Sequence, residues 1–191
     1  MSKIFLVRHG QDTDNANGIL NGRRDTDLTE LGREQAKKVA EKLKNNDVQV
    51  IYASPLKRAY ETARIIAAGL GIDEVIANER LMEREFGILT GKPVSDIPKY
   101  SEKILSTEKV NYFLEAEGAE NFSTLLERGK KALQEIRERH PDKNVLIVTH
   151  GDIGKMIRTA YHGWTWEEGL KTPYFDNTGV LELSGKHDIL E

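Results

Sequence analysis

The chain reads as an α/β protein, a mainly parallel sheet with helices on both faces in an α/β/α layering, and three observations carry that reading. Short runs of β-branched and other apolar residues occupy positions 4–7, 48–52, 145–149 and 180–183, with a weaker one at 75–77. Several do not alternate polar with apolar, which suits strands covered on both faces. Between the runs, apolar residues recur at spacings of three and four, as in helices with one buried stripe. Strands alternating with such helices make parallel βαβ connections. Finally, 191 residues of which 38% are hydrophobic can build one continuous core, so residues 1–191 are expected to form a single domain.

In chain order, the run at 4–7 opens the sheet. Leu31, Ala36, Val39, Ala40 and Leu43 then mark a helix that Thr29 is placed to cap. After the run at 48–52, Ser54-Pro55 offers an N-cap followed by proline at the first helical position. Leu56, Ala59, Tyr60, Ala63, Ile66, Ala67 and Leu70 form that helix's stripe, and Gly71 ends it. Residues 87–118 mix Pro93, Pro98, serines and charges without a period, which predicts an irregular insertion over one edge of the sheet, suited to act as a substrate lid. Phe122, Leu125, Leu126, Gly129, Ala132, Leu133 and Ile136 mark the next helix. The strand at 145–149 leads to a helix marked by Ile153, Met156, Ile157, Ala160 and Tyr161, and the run at 180–183 closes the series. No internal repeat, low-complexity tract or linker divides the chain.

Lys and Arg number 28 against 31 Asp and Glu, a formal charge of -3. There is no global basic field to draw nucleic acid or anionic lipid, so an anionic ligand must be held by a local cluster. The apolar run at 4–7 is far too short for a signal-peptide core or a membrane span, which makes the cytoplasm the default location. Absence of Cys excludes disulfides, thiolate zinc sites and a cysteine nucleophile. Chemistry must come from His, Ser, carboxylates or Arg. No nucleic-acid or membrane partner is expected, and a homodimer is left open.

The unusual residues fall where strands end. The run at 4–7 leads into Arg8-His9-Gly10, and the run at 145–149 into His150-Gly151, while Arg58 stands in the first turn of the helix after the run at 48–52. In an open parallel sheet, ligands bind outside the carboxyl ends of the strands, so three segments deliver Arg8, His9, Arg58 and His150 to one edge. Two guanidiniums and two imidazoles, with the backbone N–H groups of Gly10, Gly151 and helix N-termini, suit phosphate in charge and fork geometry. A neutral imidazole, with a pKa of about 6.5, is also a nucleophile near neutral pH, so His9 or His150 could take a phosphoryl group. Each of these residues alone would more often be a capping or surface residue; their joint placement reverses that preference. No pair of His stands at helical metal-ligand spacing, so no metal site is expected. Glu83, among Glu79, Arg80, Arg84 and Glu85, reads as part of a solvated charged loop, and Asn15, Asn21 and Asn177 as loop residues.

Together LVRHGQDTDN, SPLKRAYETA, LMEREFG and VTHGD resemble the histidine phosphatase superfamily, in its branch related to cofactor-dependent phosphoglycerate mutases. The resemblance covers nearly the whole chain in the same order and implies a mostly parallel sheet, helices on both faces and a region inserted over the active site. It implies that His9 is the phosphorylated nucleophile and that Arg8, Arg58 and His150 form its phosphate pocket. Glu83 falls where the family keeps the acid that protonates the leaving oxygen. Asn15 and Asn21-Gly22 match positions that contact the phosphate, and Gln11 stands where Glu or Gln is common. Glu120, in EGAEN, resembles a Glu of the family's GE motif. Asp12 departs from the usual Thr or Ser, and Asp14 adds a second carboxylate; both are expected to cap the following turn.

The expected activity is hydrolysis of a small phosphorylated metabolite through phospho-His9, with no cofactor and no metal. Two other readings compete. A cofactor-dependent phosphoglycerate mutase would use the same site, but the short insertion at 87–118 would shield phospho-His9 less completely from water. A silent relative would bind phospho-ligands without turnover, yet competent residues fill every core position. Residues 87–118 and 162–175 are expected to select the substrate, with Trp164, Trp166, Tyr174 and Phe175 lining a pocket or joining the core.

Overall fold

In the computed structural model, which describes residues 2–174, 176–184 and 189–190, each apolar run becomes a strand. The first elements are β1 (Ile4–Arg8), the single turn α1 (Thr13–Ala16), α2 (Glu30–Leu43), β2 (Val50–Ala53), α3 (Lys57–Leu70) and β3 (Val75–Ala77). The insertion carries α4 (Ile97–Tyr100), β4 (Ile104–Ser106) and β5 (Asn111–Phe113). Then follow α5 (Phe122–Arg139), β6 (Val145–Thr149), α6 (Gly151–His162), α7 (Trp166–Lys171), β7 (Val180–Leu183) and β8 (Ile189–Leu190).

The sheet runs β3-β2-β6-β1-β7-β8. Its first four strands are parallel, and β7 and β8 add antiparallel edges. Successive strand side chains point to opposite faces. Phe5 and Val7, with Ile51, Leu146 and Val148, pack on Val39, Leu43, Ala63 and Ile66 of α2 and α3. Ile4 and Leu6, with Tyr52, Val145 and Ile147, pack on Leu125, Ile136, Ile153 and Met156 of α5 and α6. Both sets must be apolar, which is why the strand sequences do not alternate. Each large side chain so buried contributes roughly 1.5–3 kcal/mol.

Thr29 caps α2 by accepting from Gly32 N–H at 3.1 Å, and Gly71 ends α3 in the left-handed region with φ 71°. Ser54 departs from its expected role. Its own N–H still extends the sheet, to Val148 O at 3.1 Å, so the chain turns later and α3 begins after Leu56. The Ser54 hydroxyl accepts from Leu56 N–H at 3.3 Å and also meets His150.

Residues 87–118 are more regular than their composition suggests. Phe86, Leu89, Ile97 and Phe113 form a small core of their own, and β4 pairs with β5 as a hairpin. These elements are too short for a period to register. The helix α7 was also unforeseen, although Thr165 and Glu168 close a capping box at its start. No described helix is long and apolar enough to cross a membrane.

Candidate active site

The carboxyl ends of β1, β2 and β6 bring Arg8, His9, Ser54 and His150 to one edge. Register does this: Arg8 pairs with Thr149, and His9 N–H donates to Thr149 O at 2.9 Å, so the two histidines leave adjacent strands together. Their ring centroids lie 5.0 Å apart. Arg58, in the first turn of α3, is fully buried and donates from Nε to His9 Nε2 at 3.3 Å. Its other nitrogens donate to Arg24 O at 2.6 Å and Gly22 O at 2.8 Å. Gly22 has φ 49°, a conformation glycine adopts freely, and this turns its carbonyl to the guanidinium.

His9 Nδ1 lies 2.7 Å from Gly10 O, which assigns the ring proton to Nδ1 and leaves the Nε2 lone pair to accept from Arg58. Burial, then the charges of Arg58 and Arg8, holds this imidazole well below its usual pKa, so it is neutral. His150 is held low by the same causes in the same order, with His9 itself adding to them. His150 Nε2 meets Ser54 Oγ at 2.8 Å, and its Nδ1 is buried without a partner among the described residues, as is Arg8 Nε. Buried polar groups normally find partners. Two orphans beside a neutral imidazole outline a place for an anion.

Glu83 and Arg84 correct the picture of a solvated loop: both are buried, while Glu79 and Arg80 are exposed. Glu83 accepts from three backbone N–H groups, those of Arg84 (2.8 Å), Ile153 (3.2 Å) and Asp152 (3.3 Å). Burial, then the neighbouring Asp152 carboxylate, still pushes its pKa up. Arg84 pairs with Asp152 at 2.7 Å, and its guanidinium lies 3.9 Å from the Phe113 ring centroid and 4.3 Å from that of Phe122. Arg128 of α5 braces the loop from below. It donates to the carbonyls of Arg80, Met82 and Glu83, and is itself held in a fork by Glu120 at 3.0 and 2.8 Å. The Glu120 side chain thus positions the loop and is not a pocket wall.

A cavity of about 330 Å³ opens beside the clamp, with Arg8, Asn15, Asn21, Glu83, Tyr112 and Asp152 in its wall. Asn15 accepts from Asn177, which also donates to His9 O at 2.9 Å. Asn21 donates to Asp12 Oδ2 at 2.8 Å. Gly151 opens α6 beneath Tyr174; a Cβ there would come within 2.6 Å of the Tyr174 hydroxyl. Gln11 turns aside, its amide oxygen accepting from the Thr29 hydroxyl at 2.9 Å. Asp12 caps α1 as expected, accepting from Asn15 N–H at 2.8 Å, and also faces Arg58 Nε at 3.3 Å. Asp14 pairs with Arg24 at 2.9 Å. Of the four aromatic residues, Tyr174 reaches the site and lies over Arg8 at 5.1 Å, whereas Trp166 stacks on Phe122 and Trp164 on His162. Phe175 lies outside the described residues. Ser54, Arg84, Tyr112, Arg128 and Asp152 escaped sequence reasoning, because ordinary residue types give no sign of burial.

The pattern of the histidine phosphatase superfamily (branch 1) matches residues 4–189. Phosphoserine phosphatase 1 of Hydrogenobacter thermophilus is 37% identical over 151 residues, 78% of this chain and 71% of that protein. Phosphoglycerate mutase-like protein 4 of Arabidopsis thaliana is 37% identical over 164 residues, 84% of this chain and 70% of that protein. The crystal structure of phosphoserine phosphatase from Entamoeba histolytica, in complex with 3-phosphoglyceric acid, superposes with a TM-score of 0.82 at 28% identity, covering 100% of this chain and 95% of that one. With the fold, the four strand-end residues and these matches in agreement, the chain belongs to the histidine phosphatase superfamily, in its branch 1.

Proposed function

We propose that this enzyme is a phosphatase of small phosphorylated metabolites, phosphoserine first among them, and that it carries the phosphoryl group on His9. The observation that bears most on this reading is the neutral His9 on the same sheet edge as two buried polar atoms that have no partner among the described residues, Arg8 Nε and His150 Nδ1. His9 Nε2 attacks phosphorus in line. Arg8, Arg58 and His150 stabilise charge on the equatorial oxygens. As the P–O bond to the leaving group breaks, Glu83 gives its proton to the departing alkoxide. The resulting Glu83 carboxylate takes a proton from water, whose oxygen attacks the phosphorus of phospho-His9; phosphate leaves and His9 is restored. Names of relatives support phosphoserine as substrate. A mutase would differ only in returning the phosphoryl group to a second hydroxyl, and the mutase-like relative supports that reading.

Incubation with phosphoserine should release inorganic phosphate, and quenching without acid followed by mass spectrometry should find phosphate on His9. Phosphate on Ser54 or His150 would overturn the assignment. Conversion of 3-phosphoglycerate to its 2-isomer, without net phosphate release, would favour the mutase.

A further inference from the structure

We propose that the Tyr112 hydroxyl is a specificity contact, which donates a hydrogen bond to an acidic oxygen of the leaving group, the carboxylate when phosphoserine is bound. The assignment rests on the phosphatase reading above and concerns the part of the substrate that departs. Tyr112 is the middle residue of β5, paired with Leu105 across the lid hairpin, and is 2% exposed. Its ring packs edge-on against Phe122 at 6.0 Å. Its hydroxyl is buried and finds no partner among the described residues, yet the residue lines the same cavity as Arg8, Glu83 and Asp152.

A core position with no use for the hydroxyl would be better filled by Phe, because a buried hydroxyl without a partner has lost its hydration for no return. The other two orphans at the site, Arg8 Nε and His150 Nδ1, belong to the phosphate clamp; Tyr112 stands on the lid side. Of the other cationic donors in this wall, Arg8 serves the phosphate, Arg84 is held by Asp152 at 2.7 Å, and Lys109 stands in an exposed pair with Asp176 at 3.0 Å. Glu83 and Asp152 offer acceptors and would repel an anionic oxygen that found no donor of its own. Burial, then the charge of Asp152, pushes the Tyr112 phenol above its usual range, so the hydroxyl keeps its proton.

Tyr112→Phe separates this role from a structural one. Phosphoethanolamine has the amine of phosphoserine without its carboxylate, and phenyl phosphate has neither. In the variant, kcat/KM for phosphoserine should fall roughly 10- to 150-fold, the range for one hydrogen bond to a charged group. Losses on the other two substrates should be much smaller, and Tm should hold or rise as the orphaned hydroxyl is removed. Equal losses on all three substrates would mean a contact to the phosphate or a lid support, and unchanged kinetics a core filler; either overturns the proposal. A wild type that hydrolyses phenyl phosphate but does not prefer phosphoserine to phosphoethanolamine overturns it too, with the phosphatase reading intact. A wild type inactive on every phosphomonoester strikes down that reading instead.

Discussion

A carboxyl in water near neutral pH is an anion, yet Glu83 must hold a proton to act as an acid. Burial and the Asp152 carboxylate raise its pKa, whereas burial and two guanidiniums lower that of His9. The surroundings thus push the two groups in opposite directions, Glu83 toward its protonated form and His9 toward its neutral one, as the proposed roles of acid and nucleophile require. Turnover of alkyl phosphates should decline as pH rises through the raised Glu83 pKa, and this alkaline limb should vanish in Glu83→Gln. The variant should lose alkyl phosphatase activity by about 100-fold or more, as is typical when a general acid is removed. Aryl phosphates should suffer less, because a phenolate departs with less help. Equal losses on both would remove Glu83 from the mechanism. Of these residues, His9, Arg8 and Arg58 announced themselves through their positions after strands. Glu83 lies in a run of charges, and only tertiary contacts decide that Glu83 and Arg84 are buried while Glu79 and Arg80 are not.

Elements were legible in proportion to their length. The stripes of α2, α3, α5 and α6 repeat often enough to be counted, whereas α7 and the β4-β5 hairpin are too short to show a period. One residue joins two of these elements. Lys155, on α6, is 1% exposed and points its ammonium at the carboxyl end of α7, donating to Leu170 O at 3.2 Å, to Thr172 Oγ1 at 3.1 Å and to Thr172 O. A cation suits a helix C-terminus. Burial, then the neighbouring Arg158, nevertheless lowers its pKa to about 8. The unfolded chain keeps this proton until about pH 10.4, so between about 8 and that value it binds more protons than the native state. Stability from this group therefore rises with pH across that window and is flat on either side. Compared with Lys155→Met, the wild type should gain in urea midpoint as pH is raised from 8 to 10, and a constant difference would show that the ammonium titrates normally.

For the molecule as a whole, a net charge of -3 coexists with a cluster of Arg and His at the carboxyl edge of the sheet. An anion that fits the clamp binds only the folded state. Vanadate at 100 times its Kd should therefore stabilise the protein by about 2.7 kcal/mol, or about 5–10 °C in Tm. Arg58→Ala should abolish most of this shift; an undiminished shift would place the anion elsewhere. The mainly parallel sheet, and with it this convergence at its carboxyl edge, was legible in the alternation of strands and helices, whereas the strand order was not. The insertion was also legible, but its hairpin and small core were not, because they are built from contacts between short segments. The parallel pairing of β1 with β6 sets Arg8 against Thr149 and so joins segments near opposite ends of the chain. In folding terms, this contact closes one of the longest loops available, and such contacts are slow to form because loop entropy must be overcome first. His9 and His150 thus come together only when β1 pairs with β6. During synthesis, His9 leaves the ribosome early but stays without His150 until most of the chain has followed, so the emerging polypeptide is inert toward phosphate esters. On refolding, regained turnover should therefore report completion of the sheet centre.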